Sequence, residues 1–249
     1  EPSALPPEYA ELHCLTNFSF QRGASHAEEL VARAQVLGYS ALAITDECSV
    51  AGVVRAHVAA KKRGLKLLPG AEFAVLEGFK FVALAHDLTG WGNLCEFISA
   101  ARGRATKGTY SVSWHDRDLT LLQGCEILLV LPFAIKIEAA CAIATRAKAL
   151  FGTYIWLVVE LQLGLDDDVV LHRLQQVSAI TGVPLVAAGN VHMHVRSRKP
   201  LQDVITAVRL GKSVSECGFE LQANAEAHLR SRERLAAIYP PELLANTLT

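Results

Sequence analysis

An α/β fold of parallel strands joined by helical crossovers is what this sequence predicts, and three observations predict it. Short apolar runs alternate with amphipathic stretches about seven times along the chain, the pattern of repeated strand–helix units. Hydrophobic residues make up 51% of the 249 positions and charged residues 20%, enough for a sizeable core and too apolar for disorder. No Gly-x-Gly-x-x-Gly follows a strand and no P-loop occurs, which counts against an open nucleotide-binding sheet. A closed α/β barrel and an open doubly wound sheet both fit the alternation.

The elements follow in order. Tyr9 to Leu15 reads as a strand running into a polar turn, Thr16 to Ser19, with His13 near the strand's end. Ser25 is the expected cap of the first helix, with Glu28 three residues on completing a capping box, and Leu30, Val31, Ala34 and Leu37 recurring at helical spacing before Gly38. ALAIT is a strand ending at Asp46, and a helix from about Val50 to Arg63 stops at Gly64. KLLPGAEF carries Glu72 to its end, and Phe79 to Ala85 delivers His86 and Asp87. DLTGWGNLCEFISAA is turn then helix, and RGRATKGTYSVS a basic exposed loop containing Arg102, Arg104 and Lys107. CEILLVLP is a buried strand, Ile135 to Phe151 a helix with an alanine face, and YIWLVVEL a strand ending near Glu160. Asp166 to Asp168 place negative charge at the start of a helix that runs to about Thr181. Gly182-Val183-Pro184 turns into the strand LVAAGNVHMH, and Pro200 opens a helix reaching Leu210.

Composition excludes several classes. The net charge of −1 gives no global attraction to nucleic acid or an anionic membrane. Cys14, Cys48, Cys95, Cys125, Cys141 and Cys217 include no C-x-x-C pair, so free thiols in a reducing cytosol, and a cytoplasmic protein, are expected. No apolar run approaches the ~20 residues of a membrane span, so no membrane partner is expected. EPSALPPEYAEL lacks the regions of a signal peptide. YPPELLANTLT stops as a new helix begins after Pro240–Pro241, so a fragment of a longer protein is expected.

His13, Asp46, Glu72 and His192 each lie at the carboxyl end of an expected strand. In a parallel barrel those ends share one rim, where active sites are built. Imidazole and carboxylate together suit Zn²⁺, Mn²⁺ or Fe, and two such ions ~3.5–4 Å apart can clamp a phosphoryl group and activate water. His86 is a weaker candidate for the same rim. His26, His57, His115 and His172 read as surface or packing residues, and no Ser or Cys stands in a nucleophile elbow.

LHCLTNFSFQRGAS, ALAITDECSVAG, PGAEF, DLTGWGNLCEFIS and GVPLVAAGNVHMH resemble the PHP (polymerase and histidinol phosphatase) domain of bacterial C-family DNA polymerases. The likeness is strongest to the error-prone DnaE-type, ImuC-like branch, and covers the chain from about Tyr9 onward. It implies one domain over residues 1–249, a (β/α)7-type distorted barrel, with a tail at 1–8 and the start of a linker at 240–249. In metal-binding members of the family it resembles, the rim holds up to three ions and can hydrolyse phosphoesters, and in some replicative polymerases it supplies a proofreading 3′–5′ exonuclease.

The carry-over is incomplete. Against a first motif H-x-H-S-D-Y-S, His13 matches, Leu15 replaces the second histidine and Asn17 the aspartate. Against T-D-H-G, Asp46 matches and Glu47 replaces histidine; Glu72 matches Gly-x-Glu, and LVLPF lacks the family's cysteine. Against N-D-V-H, His192 matches and Asn190 replaces aspartate. Glu47, Asn17, Asn190 and His194 are therefore weaker rim candidates. The expectation is no ion, or a single Zn or Mn on His13, Asp46, Glu72 and His192. Failing that, Asp46 and Glu72 need partners, with a protonated His13 or His192 as one.

The resemblance implies a scaffold within an error-prone polymerase serving translesion synthesis and DNA damage tolerance. Its implied partners are the remaining polymerase domains, which carry the Mg, DNA held through the full-length protein, an ImuB-like mutasome protein and the sliding clamp. A surviving metal-dependent phosphoesterase or 3′–5′ exonuclease is the alternative. A free-standing small-molecule phosphatase rests on the fold alone.

Overall fold

Seven strands form one curled sheet in sequential order, β1 to β7, in a computed structural model that describes residues 5–249. Residues 1–4 of the expected 1–8 tail lie outside the described residues. β1 (Ala10–Glu11), β2 (Ala41–Ile44) and the first half of β3 (Lys66–Ala74) pair in parallel. β5 (Cys125–Val130), β6 (Ile155–Val159) and β7 (Leu185–Ala187) do the same. Between them β4 (Lys80–Ala85) is antiparallel to both β3 and β5. The expectation of an all-parallel arrangement therefore fails at one strand. The reason is local: β3 and β4 are joined by a tight turn at Val75–Phe79, with Gly78 at φ 86°, and so short a link cannot make a parallel crossover.

Outside the sheet lie α1 (Ala27–Val36), α2 (Val53–Arg63), α3 (Leu88–Gly103), α4 (Ile137–Phe151) and α5 (Asp167–Thr181). They cover outward side chains such as Ile44, Phe73, Phe81, Ile127, Leu129 and Leu157. The alternate residues, including Ala43, Val82, Leu128, Val158 and Val186, pack on the inner face. Burial on both faces is why the strands read as unbroken apolar runs. The helices α6 (Lys199–Leu210), α7 (Val214–Cys217), α8 (Arg232–Ile238) and α9 (Pro241–Ala245) complete the chain.

The sheet closes on itself at its upper end only. Leu15 donates its N–H to the Val191 carbonyl at 2.8 Å, and Val191 donates to that of His13 at 2.9 Å. Lower down, the C-terminal segment fills the gap between the edge strands. Thr247 Oγ1 accepts the Ala10 N–H at 3.1 Å, while Asn246 Nδ2 donates to the Leu185 carbonyl at 2.8 Å. Two strands are shorter than expected, because Glu11 takes its neighbours' donors: its carboxylate accepts from His13 N and Gly189 N, replacing a strand ladder.

The first helix is capped at His26, not Ser25, with Glu29 accepting the His26 N–H at 2.9 Å. Ser25 is diverted because its hydroxyl accepts the His194 N–H and meets Nδ1 of that ring. Arg102 lies in α3 and donates to the Cys48 carbonyl, and Arg104 pairs with Asp116 and Asp118, so these two cations of the expected basic loop are engaged. All six cysteines are free. Among the described residues no helix is long and apolar enough to cross a membrane.

Candidate metal centre

The rim at the carboxyl ends of the parallel strands gathers His13, Asp46, Glu72 and His192, but divides them: His13 and Glu72 share one side-chain network, Asp46 sits in a second, joined to the first through the Ser19 hydroxyl, and His192 meets only the Arg22 carbonyl and Asn190. His13 follows β1 and is fully buried. Its Nε2 lies 2.8 Å from Glu72 Oε2 and its Nδ1 2.6 Å from Glu160 Oε1. Two carboxylates on opposite edges require both ring nitrogens to donate, which only the imidazolium can do. Burial alone would lower the pKa of His13, but Glu160 and Glu72 outweigh it and raise it to about 9.

Glu72 is the centre of this network. Besides His13, its Oε1 accepts from Arg22 Nη1 at 2.6 Å, and Lys80 Nζ stands 3.3 Å from Oε2. Burial would raise its pKa, but His13, Lys80 and Arg22 hold the carboxyl well below its ordinary range. The same Arg22 Nη1 is 2.6 Å from Glu47 Oε2, and Tyr110 donates to Glu47 Oε1 at 2.9 Å. Three cations thus meet three carboxylates, Glu47, Glu72 and Glu160, and the charges are compensated within the chain.

Asp46 belongs to the second network. Its carboxylate accepts from the Thr16 N–H at 2.8 Å, the Thr16 hydroxyl at 2.8 Å and the Ser19 hydroxyl at 2.7 Å. Burial nevertheless raises its pKa against the pull of those donors. Gly52 is required beside it, because a Cβ there would lie 2.4 Å from Asp46 Oδ2. His192 Nδ1 lies 3.2 Å from the Arg22 carbonyl and Nε2 3.0 Å from the Asn190 carboxamide; in a neutral ring Nδ1–H donates to that carbonyl and Nε2 accepts, with the carboxamide turned to present its NH2. Burial first, and then the Arg22 charge, lower its pKa to about 3, so it is neutral.

The weaker candidates divide. Glu47 joins the rim through Arg22, and Asn190 joins it through His192, from a left-handed backbone at φ 46° that asparagine tolerates. Asn17 is exposed on the turn, with its N–H on the Ser25 carbonyl, and His194 turns to Ser25. Leu15 is fully buried and offers no lone pair. His86 is at the opposite end of the barrel, 3.4 Å from Glu126 and edge-on to Tyr154, because β4 runs the other way. The same reversal brings Lys80, at the start of β4, to the upper rim.

Sequence reasoning missed Arg22, Glu160 and Lys80. Glu160 ends a strand and obeys the rule that identified Asp46 and Glu72. Arg22 sits in a turn, and nothing local announces its reach.

These residues do not fit a metal cluster. An ion between Glu47 and Glu72 would meet the Arg22 guanidinium, and one on His13 would have to displace a ring proton donated to Glu72 or to Glu160. Among the described residues no group of three or more His, Cys, Asp and Glu side chains is arranged to hold an ion.

A family model described as the PHP domain matches residues 11–166. An error-prone DNA polymerase of Dechloromonas aromatica is 50% identical over 242 residues, 97% of this chain and 24% of that protein. One of Pseudomonas paraeruginosa is 50% identical over 240 residues, 96% of this chain and 23% of that protein. This chain spans about a quarter of the length of these curated relatives. Among solved structures, one from Bifidobacterium adolescentis, assigned as a metal-dependent phosphoesterase, aligns with a TM-score of 0.53 at 18% identity, covering 75% of this chain and 89% of that one. An amidohydrolase from Chromobacterium violaceum aligns at 0.59 and 17% identity, covering 74% and 87%. At such identities the likeness is one of fold.

Proposed function

Because the chain belongs to the PHP domain family, we propose that it serves as the PHP domain of an error-prone DNA polymerase and acts there as a structural domain. The observation that carries this reading is the pairing of the rim's carboxylates with cations of the same chain: Glu72 with His13, Arg22 and Lys80, Glu47 with Arg22. A carboxylate so engaged is not free to ligate an ion, and Leu15 contributes no donor. The polymerase reaction, with its Mg²⁺ ions, is assigned to the remaining domains of a longer chain in the cytoplasm. Through those domains the protein would hold DNA, act in translesion synthesis during DNA damage tolerance, and meet an ImuB-like partner and the sliding clamp.

Elemental analysis of the purified protein tests the structural role: two or more equivalents of tightly held Zn or Mn would defeat it. The second reading, a residual phosphoesterase or 3′–5′ exonuclease, is favoured by His13, Asp46, Glu72 and His192 all lying at one rim. Labelled single-stranded DNA incubated with Mn²⁺ decides it. No trimming above a chelated control is expected.

A further inference from the structure

Building on the reading of the rim as metal-free, we propose that Arg22 is the rim's resident cation, a tethered guanidinium doing the charge-compensating work that a metal-dependent relative gives to a divalent ion. Its Nη1 stands between two carboxylates that come from different parts of the sheet, 2.6 Å from each: Glu47 after β2 and Glu72 in β3. The backbones of Glu47 and Glu72 are themselves bridged, so their side chains emerge side by side. Without a cation between them they would repel at close range.

The arginine is aimed by built structure. Its carbonyl accepts from Gln202 Nε2 at 2.7 Å, and its N–H donates to the Ser19 carbonyl at 2.9 Å. Gln21 before it takes a left-handed φ of 58°. Gly23 after it lies so close to Thr16 that a Cβ would fall 2.0 Å from the Thr16 carbonyl oxygen. The loop is folded back on itself and delivers the side chain inward, where it is 14% exposed. Other donors complete the shell: Tyr110 on the second oxygen of Glu47, His13 and Lys80 on that of Glu72. A guanidinium stays charged at any working pH and cannot be removed by a chelator. Taking it away leaves the Glu47 and Glu72 carboxylates side by side, oxygen donors that Mn²⁺ or Zn²⁺ can bridge.

The experiment is thermal unfolding of the 249-residue chain and of Arg22→Gln and Arg22→Lys, each in EDTA, in MnCl₂ and in ZnCl₂. The parent is expected to unfold at one temperature in all three. Arg22→Gln is expected to lose roughly 10 °C in EDTA, the scale of a broken buried pair in a chain of this size. Mn²⁺ or Zn²⁺ should return at least half of that loss, saturating at about one ion per chain. Arg22→Lys, which keeps the charge, should recover at least half of it without any ion. An Arg22→Gln chain as stable as the parent, or one restored by neither ion, overturns the proposal while the metal-free reading of the parent stands. An Arg22→Lys chain as unstable as Arg22→Gln overturns it too. Tight ion binding by the parent overturns the metal-free reading and this proposal together.

Discussion

Glu160 Oε1 stands 2.6 Å from Nδ1 of His13, on the opposite edge of the ring from Glu72. The pair makes His13 a proton-dependent stabiliser. Its pKa in the folded chain, about 9, lies above the ordinary 6.5. The folded state therefore binds the proton more tightly than the unfolded state. The contribution is fully present below pH 6.5 and is lost as pH rises through about 9. Its size is on the order of 3 kcal/mol. Urea unfolding at pH 6 and pH 10 should show that fall. In Glu160→Gln the loss should move toward neutral pH, because one of the two charges holding the proton is gone. A flat profile in the parent would contradict the imidazolium.

The cradle around Asp46 predicts a contrast between two glycines. Gly52→Ala places a methyl 2.4 Å from Asp46 Oδ2 and 2.8 Å from Thr16 Oγ1, atoms fixed by their hydrogen bonds. Relieving that overlap should cost about 1–3 kcal/mol. Gly92→Ala lies in α3 with nothing within 4 Å of the added methyl. It should be neutral or stabilise by up to about 1 kcal/mol, since alanine favours the helix. Melting temperatures of the two variants, measured side by side, check the difference.

The ends of strands were the legible part of this site. Asp46, Glu72, His13 and His192 follow from apolar runs that terminate in a polar group, and Glu160 obeys the same rule. Direction along the sheet was less accessible, because alternation of apolar runs does not say which way a strand points. The clue lay in the link Val75–Phe79, far shorter than the dozen or so residues a parallel crossover takes. Read that way, it would have moved His86 to the lower end and brought Lys80 to the rim. Arg22 was not legible at all. Its role depends on Gln21, Gly23 and Gln202 turning one loop inward, and those contacts span the chain.

At the lower end of the barrel the closure depends on a hydroxyl in place of a strand. Thr247 Oγ1 accepts the Ala10 N–H, and its own hydroxyl donates to the Leu244 carbonyl at 2.6 Å. Thr247→Val keeps the shape and removes both bonds, leaving a buried edge-strand N–H without an acceptor. The expected cost is about 1–3 kcal/mol. Hydrogen exchange gives the sharper reading: the Ala10 amide should lose protection in the variant, while amides inside β5 keep theirs.

Glu72 carries the heaviest consequence. It is fully buried and meets His13, Arg22 and Lys80 together. Replacing it with alanine leaves three cationic groups around an empty anion position. His13 would retain Glu160, and Arg22 would retain Glu47, so the damage is partial. The expected loss is about 3–5 kcal/mol, the scale of a buried pair broken from one side. A double-mutant cycle with His13→Ala separates the pair from its surroundings, because removing His13 first also removes part of the charge that Glu72 balances. The coupling between the two should reach about 1–3 kcal/mol. Additive losses, measured by urea midpoints, would mean that Arg22 and Lys80 alone hold Glu72.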